Sequence, residues 1–439
     1  MSGGIILAAP ASGSGKTLIT AGLLRHLHRR GIKVAAAKVG PDYIDPTFHA
    51  LASRAPCINL DSWAMRPATL AALVQDLEGS TELVLCEGVM GLFDGSGPDG
   101  TAGSTAELAR IAGWPVVLIV DASGQGASVA ALVAGFAQYD RGVPLAGVIL
   151  NRVASPRHQE LLVQAIRRHL PGLPVLGALR RDRNLALPAR HLGLVPAAEI
   201  AGVEALVENA AVRIAEELDI AGLVSLARPS RCDRPRSDWG LPPLGQRIAV
   251  ARDDAFLFTY EATLAAWRRQ GAELSFFSPL CDEPPRPDAD SIYLPGGYPE
   301  LHAARLAAAP NFMFGLRRAA GAGVSVYGEC GGYMVLGEAL TGADGVARRM
   351  AGLLPLETSF KQRRLHLGYR TARLLAPSPL GLEDARFRGH EFHYATIVAE
   401  GDADALFAIT DASGTDLGRS GLRSGSVFGS FIHLIDRKD

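Results

Sequence analysis

The chain opens on an apolar run, Ile5–Ala9, that breaks into small residues from Pro10 to Gly15 and resumes at Leu18–Arg30 with Leu and Ile at helical spacing. The same alternation continues to about Val224. It predicts strands at Lys33–Lys38, Leu83–Cys86, Val116–Val120, Leu145–Leu150 and Val175–Ala178, and helices at Pro67–Leu77, Ser104–Ala112, His158–His169 and Ala198–Ala215. Strands this apolar, separated by helices, predict a parallel sheet covered on both faces. Ser225–Gln246 is rich in Pro, Arg and Ser, has no period and reads as a linker. A second alternation follows, with strands at Arg247–Ala251, Leu274–Phe277, Ile292–Leu294 and Val324–Tyr327 and a helix near Glu261–Gln270. The expected organisation is 1–224, linker 225–246 and 247–439, both domains α/β.

Composition changes this picture mainly by exclusion. A chain of 439 residues is too long for one ordinary domain. A formal net charge of −1 gives no global field for nucleic acid or an anionic membrane, and 6% aromatics weakens any base-stacking surface. Every apolar run is interrupted well short of membrane-spanning length. The first run has no basic region before it and leads straight into a loop, so it reads as a strand rather than a signal peptide. Cys57, Cys86, Cys232, Cys281 and Cys330 are odd in number and scattered, which favours reduced thiols in a cytoplasm over a disulfide frame or zinc site.

The chemistry gathers at predicted strand ends, where open parallel sheets bind ligands. In Ser12-Gly13-Ser14-Gly15-Lys16-Thr17, a strand turns through small residues into a helix N-terminus. Backbone N–H groups, the helix dipole and Lys16 all favour phosphate there, and Thr17 can offer its hydroxyl to a phosphate-bound Mg²⁺. Pro10 stands where the common phosphate loop has glycine, so this cradle must be shaped differently. The loop is read as an ATP site. GPDYIDPT (residues 40–47) follows the second strand, and EGVMGLFDG (87–95) follows the third. Lys38, Asp42, Asp45, Glu87 and Asp94 would then converge beside the loop, with Asp45 and Glu87 suited to Mg²⁺ or its waters. Asp42 and Asp94 could equally be turn-forming residues.

In the second half, Cys330 lies in GECGGYM (328–334), a predicted strand-to-helix turn bracketed by glycine, the kind of bend that lifts a nucleophile above a sheet edge. Gly331 could offer one N–H to an oxyanion, with Gly296 or Gly297 of LPGGYPEL offering a second. A thiol also needs a base, and His366, His390, His393 and His433 are all open choices.

These segments, with HLGYR, GHEFHY and the final GSFIHL, resemble in order the cobyrinic and hydrogenobyrinic acid a,c-diamide synthases. The resemblance covers almost the whole chain. It implies an N-terminal phosphate-loop domain of the dethiobiotin-synthetase type and a C-terminal class I glutamine amidotransferase domain. It also implies that Cys330 attacks glutamine and His433 activates it, although most such enzymes carry a Glu two residues after the His and this chain has Ile435. Family substrate contacts would map to Asp42, Tyr43, Ile44 and Asp94. The implied reaction consumes ATP and L-glutamine, with Mg²⁺, Lys16 and Lys38 stabilising charge on the transferring phosphoryl group, to amidate a corrin-ring carboxylic acid through an acyl phosphate, ammonia passing along a closed path. No nucleic-acid or membrane partner is expected, and a homodimer is an open expectation.

Two rivals within the class are the nickel-sirohydrochlorin a,c-diamide synthases and the cobyric acid synthases. A partition-type ATPase would share the phosphate loop but leave Cys330 and the second domain unexplained.

Overall fold

The computed structural model describes residues 2–97, 99–182, 185, 187–190, 193–233 and 239–439. The chain divides into two compact units, Met1–Trp63 with Pro67–Ser237, and Ala64–Arg66 with Asp238–Asp439.

The first unit is built on seven strands: β1 (Gly3–Ala8), β2 (Val34–Val39), β3 (Cys57–Leu60), β4 (Leu83–Glu87), β5 (Val116–Asp121), β6 (Leu145–Val153) and β7 (Val175–Arg180). They run in the order β3-β2-β4-β1-β5-β6-β7, every neighbouring pair parallel. The central strands are buried along their length, as the uninterrupted apolar runs predict. β3 was not evident from the sequence because four residues after a Pro are too short to show a period. β1 lies at mid-sheet, with β4 on one side and β5 on the other, so its loop opens between two neighbours. Register places Lys38 of β2 directly opposite Glu87 of β4.

Helix α1 (Lys16–Arg29) packs its Ile19, Leu23, Leu24 and Leu27 into the core beneath this sheet. Its inward Arg25 is 4% exposed, bonded to Glu204 and Glu208 and to the carbonyls of Leu51 and Ala52. The carrier of those glutamates is the helix Val203–Glu217, which begins later than the pattern at Ala198 indicates. Gly202, at φ 76°, breaks the backbone there after a short turn over Ala197–Glu199.

The second unit contains a ten-stranded sheet. Five strands are mutually parallel: Glu273–Phe277, Arg247–Ala251, Ser291–Leu294, Ser325–Glu329 and Val427–Ser430. Alternate residues feed two cores, Ala249 and Ala251 into one and Ile248 and Val250 into the other. From Val427–Ser430 onward the sheet becomes antiparallel through Asp416–Ser424, Asp404–Asp411, His366–Leu374 and Arg386–His393 to Ile432–Lys438. This antiparallel half was not predicted. Its strands are rich in Arg and carry interior Gly, so polar residues hide the alternation.

Ser225–Gln246 is tied in at both ends. Arg228 bonds β1 through Gly4, Ser230 bonds Glu78, and Arg231 N–H donates to Ala112. Beyond residues 234–238, which lie outside those described, Trp239, Leu241 and Leu244 are buried in the second unit. No described helix is long and apolar enough to cross a membrane.

Candidate functional site

In the first unit, the turn after β1 takes its shape from two glycines in the left-handed region, Gly13 at φ 78° and Gly15 at φ 94°. Ser14 Oγ donates back to the Ala11 carbonyl (2.9 Å) and Asn151 Nδ2 reaches across to the Ser14 carbonyl (2.8 Å). The loop and α1 form one wall of a cavity of about 610 Å³, the size of a small-molecule site. Ser12, Gly13, Gly15, Lys16 and Thr17 line it, as do Lys38, Asp42, Ile44, Asp45 and Glu87. Lys16 Nζ donates to the Met90 carbonyl (2.6 Å), and burial lowers its pKa against the pull of Glu87.

A charged cluster sits on the floor. Lys38 Nζ lies 2.6 Å from Asp45 Oδ2 and 3.1 Å from Glu87 Oε1, and also donates to the Gly88 carbonyl (3.1 Å). Thr17 Oγ1 donates to Glu87 Oε1 (3.0 Å), while buried His49 holds Oε2. Burial opposes ionisation of Glu87, but Lys38, His49 and Lys16 together hold its pKa at about 2. Asp45 is pushed the other way, well above the usual carboxylate range, by burial and by Asp42.

The remaining acids of this edge face their own loops. Asp42 Oδ1 accepts from Ile44 N–H (2.7 Å), and Asp94 Oδ2 accepts from Gly91 N–H (2.9 Å), so both carboxylates shape turns. Ile44 is buried against the core, and neither Tyr43 nor Asp94 is part of the cavity wall. Sequence reasoning missed His49, Asn151 and Arg152. The last two follow the apolar run of β6, so the strand-end rule that singled out Glu87 applies to them equally.

In the second unit, the strand Ser325–Glu329 ends at Cys330, whose backbone stands at φ 48°, ψ −103° before the short helix Gly331–Leu336. Such a conformation costs a non-glycine residue about 1–3 kcal/mol. The surroundings hold it: Cys330 N–H donates to Ser430 (2.8 Å), and Met334 N–H donates to Cys330 (3.0 Å). Neighbouring glycines leave no spare volume. A methyl on Gly328 would come within 2.8 Å of Tyr333 N, and one on Gly331 within 3.0 Å of Gly297 N. One on Gly296 would strike the His433 ring and stand 3.3 Å from Cys330 Cβ. Gly296 and Gly331 thus border Cys330, His433 lies over Gly296, and Gly297 faces Gly331. The Gly331 N–H beside the sulfur favours its thiolate form. Burial, then Glu300, raises the thiol's pKa, while burial with His390 and His393 holds His433 down at about 3.

The other histidines are engaged elsewhere. His393 bonds Glu391 (3.0 Å) and the Ala395 carbonyl (3.1 Å) and stacks between His366 and Phe431. His390 lies across from His433 in the ladder. The donor atoms of His366, Glu391 and His393 lie within 4.8 Å of one another. However, the two rings are parallel to within 4°, and Arg370 Nε bonds Glu391 (2.7 Å), so the trio forms a stacked column rather than a converging ligand set.

Comparison with known proteins agrees with both halves. Residues 5–195 match the model of the CobQ/CobB/MinD/ParA nucleotide binding domain, and residues 247–439 match the CobB/CobQ-like glutamine amidotransferase domain. A hydrogenobyrinate a,c-diamide synthase of Brucella anthropi is 56% identical over 99% of this chain and 98% of its own length. Proteins of the same name from Rhizobium meliloti and Rhodobacter capsulatus are each 53% identical, the first covering 99% of both chains and the second 98% of both. Identity at this level, end to end and through both sites, means that the chain belongs to the hydrogenobyrinate a,c-diamide synthase family.

Proposed function

We propose that this chain uses ATP and L-glutamine to amidate the a and c acetate side chains of a corrin-ring carboxylic acid. The observation that carries the reading is full-length similarity to the named synthases in a chain that places Cys330, His433 and Gly296 together.

A carboxylate is a poor acyl donor. An acetate oxygen of the ring therefore attacks the γ-phosphorus of ATP, ADP leaves, and the carboxyl becomes an acyl phosphate. Lys16 and the N–H groups of the Ser12–Gly15 loop neutralise the transferring phosphoryl group. Thr17, Asp45 and Glu87 supply a hydroxyl and two carboxylates, the hard oxygen donors that suit Mg²⁺, and an ionised, buried Glu87 fits that role. Bound there, Mg²⁺ would add positive charge beside the phosphates. Lys38 holds Asp45 and Glu87 together. Asp42 fixes the loop that carries Tyr43 and Ile44, and Asp94 fixes the loop after β4; both loops border the edge where the ring's acetate would meet the phosphates.

In the second unit, Cys330 Sγ attacks the side-chain amide carbon of glutamine while His433 takes the thiol proton and passes it to the departing ammonia. Water hydrolyses the glutamyl thioester. The N–H groups of Gly331 and of Gly296 or Gly297 stabilise the oxyanion. Ammonia then attacks the acyl phosphate carbon, and phosphate leaves.

Mass spectrometry of products from metal-free and cobalt-containing ring acids, given ATP and glutamine, tests the function. Two amides and no more are expected. Four or six would overturn the assignment in favour of a cobyric acid synthase. Gly296→Ala probes the corner more finely: the added methyl displaces His433, so glutamine hydrolysis should fall about 100-fold. An unchanged hydrolysis rate would exclude His433 as the base.

A further inference from the structure

A base that takes a proton from a nucleophile is normally oriented by a third group on its far nitrogen. His433's own strand offers none two residues on, where Ile435 is apolar and 5% exposed. The carboxylate comes instead from the strand that carries the nucleophile. Glu329, immediately before Cys330, is 3% exposed, and its Oε2 lies 3.9 Å from His433 Nδ1. It is held from three sides: Tyr293 Oη donates to Oε2 (2.7 Å), while Tyr327 Oη (2.9 Å) and Leu434 N–H (3.1 Å) donate to Oε1.

We propose that Glu329 is the positioning residue of the glutaminase site, holding the His433 ring and stabilising the imidazolium formed when Cys330 loses its proton. This rests on the amidotransferase reading above. The backbone supplies the logic. Because Cys330 turns sharply to enter its helix, the preceding side chain stays in the sheet, where it meets the strand Ile432–Lys438. The bond from Leu434 N–H fixes that strand at the residue next to His433, so one carboxylate sets both the register and the ring. Three donors on a buried acid favour its charged form, the form that supports an imidazolium.

The charged and titratable neighbours are few. The strand Arg386–His393 brings His390, Glu391 and His393, the helix Pro299–Ala307 brings Glu300 beside Cys330, and Tyr260 lies near Tyr293. Burial pushes Glu329 up to about 7 against the pull of its donors from Tyr293, Leu434 and Tyr327. Since the ionised form is the active one, glutamine hydrolysis should rise as pH increases through neutrality.

Initial rates of glutamine hydrolysis against pH for the full chain, Glu329→Gln and Tyr293→Phe test the idea. Glu329→Gln should lower kcat/KM about 100-fold. Tyr293→Phe removes one stabilising donor, so it should move the acid limb to higher pH by about one unit while largely sparing the plateau. A carboxylate that merely filled space would leave that limb in place. If Glu329→Gln fails to fold, as its unfolding midpoint would reveal, Glu329→Asp and Tyr293→Phe decide. An unmoved limb in Tyr293→Phe, or hydrolysis at the parent rate in a folded Glu329→Gln, overturns the proposal and leaves the amidotransferase reading intact. Glutamine hydrolysis that survives Cys330→Ala would remove both.

Discussion

Cys330→Ala is expected to amidate its ring substrate at the normal rate from ammonium salts and to lose turnover from glutamine by at least about 10³-fold. The division follows from where the chemistry sits. In the proposed mechanism the thiol serves to release ammonia, and every group proposed to handle ATP belongs to the other compact unit. Alanine also fits the site physically, because Cys330 is buried against a rigid corner and loses one sulfur without leaving a charge unpaired. Product formation with glutamine and with ammonium chloride, measured side by side, checks it. Loss of both activities in a folded variant would refute a separable ammonia source.

Lys16→Ala should do the opposite, stopping amidation from either nitrogen source by on the order of 10³-fold, the scale of removing one cation from a transferring phosphoryl group. The fold should survive. Among the described residues Lys16 bonds neutral carbonyls, those of Met90 and Ala11, which water can satisfy in its absence. Lys38 would be a poorer probe of the same chemistry. Removing it would leave Asp45 and Glu87 facing each other without their shared cation, a loss of about 3–5 kcal/mol that confounds stability with activity. Ammonium-driven turnover near the parent rate in Lys16→Ala would put the phosphate site elsewhere.

Where burial is two-sided, the fold was legible in the sequence. β1, β4 and β5 are apolar along their length because both faces of the sheet are covered, and a continuous run marks them. The antiparallel half of the second unit was not, since strands such as Asp416–Ser424 are largely exposed on both faces and carry Gly418 and Gly421 at positive φ within the strand, so no apolar alternation marks them. The sites were legible wherever a polar residue interrupts an apolar strand end, as with Lys38 and Glu87. Their partners were harder to see. His49 lies on a helix 38 residues from Glu87, and nothing local in DPTFHALAS marks its ring as the one that bonds that carboxylate. Glu329 was not singled out, because its bond to the strand of His433 spans more than a hundred residues of chain.

The glycines around Cys330 have a consequence for how this corner could change over generations. At Gly296, Gly297, Gly328, Gly331 and Gly332 even a methyl would collide with its surroundings, and at four of the five a backbone atom is among those struck. Substitution in place, the ordinary raw material of adaptation, is therefore closed at the positions nearest the nucleophile. A library randomised there would return almost wholly as the parent. Any drift toward another nitrogen donor, or toward a slower thiol, would enter one layer out, through side chains such as Tyr293, Tyr327 or Phe258, which touch Glu329 or His433 rather than the glycine backbone. The chemistry is fixed by absent side chains and adjustable only through those behind them.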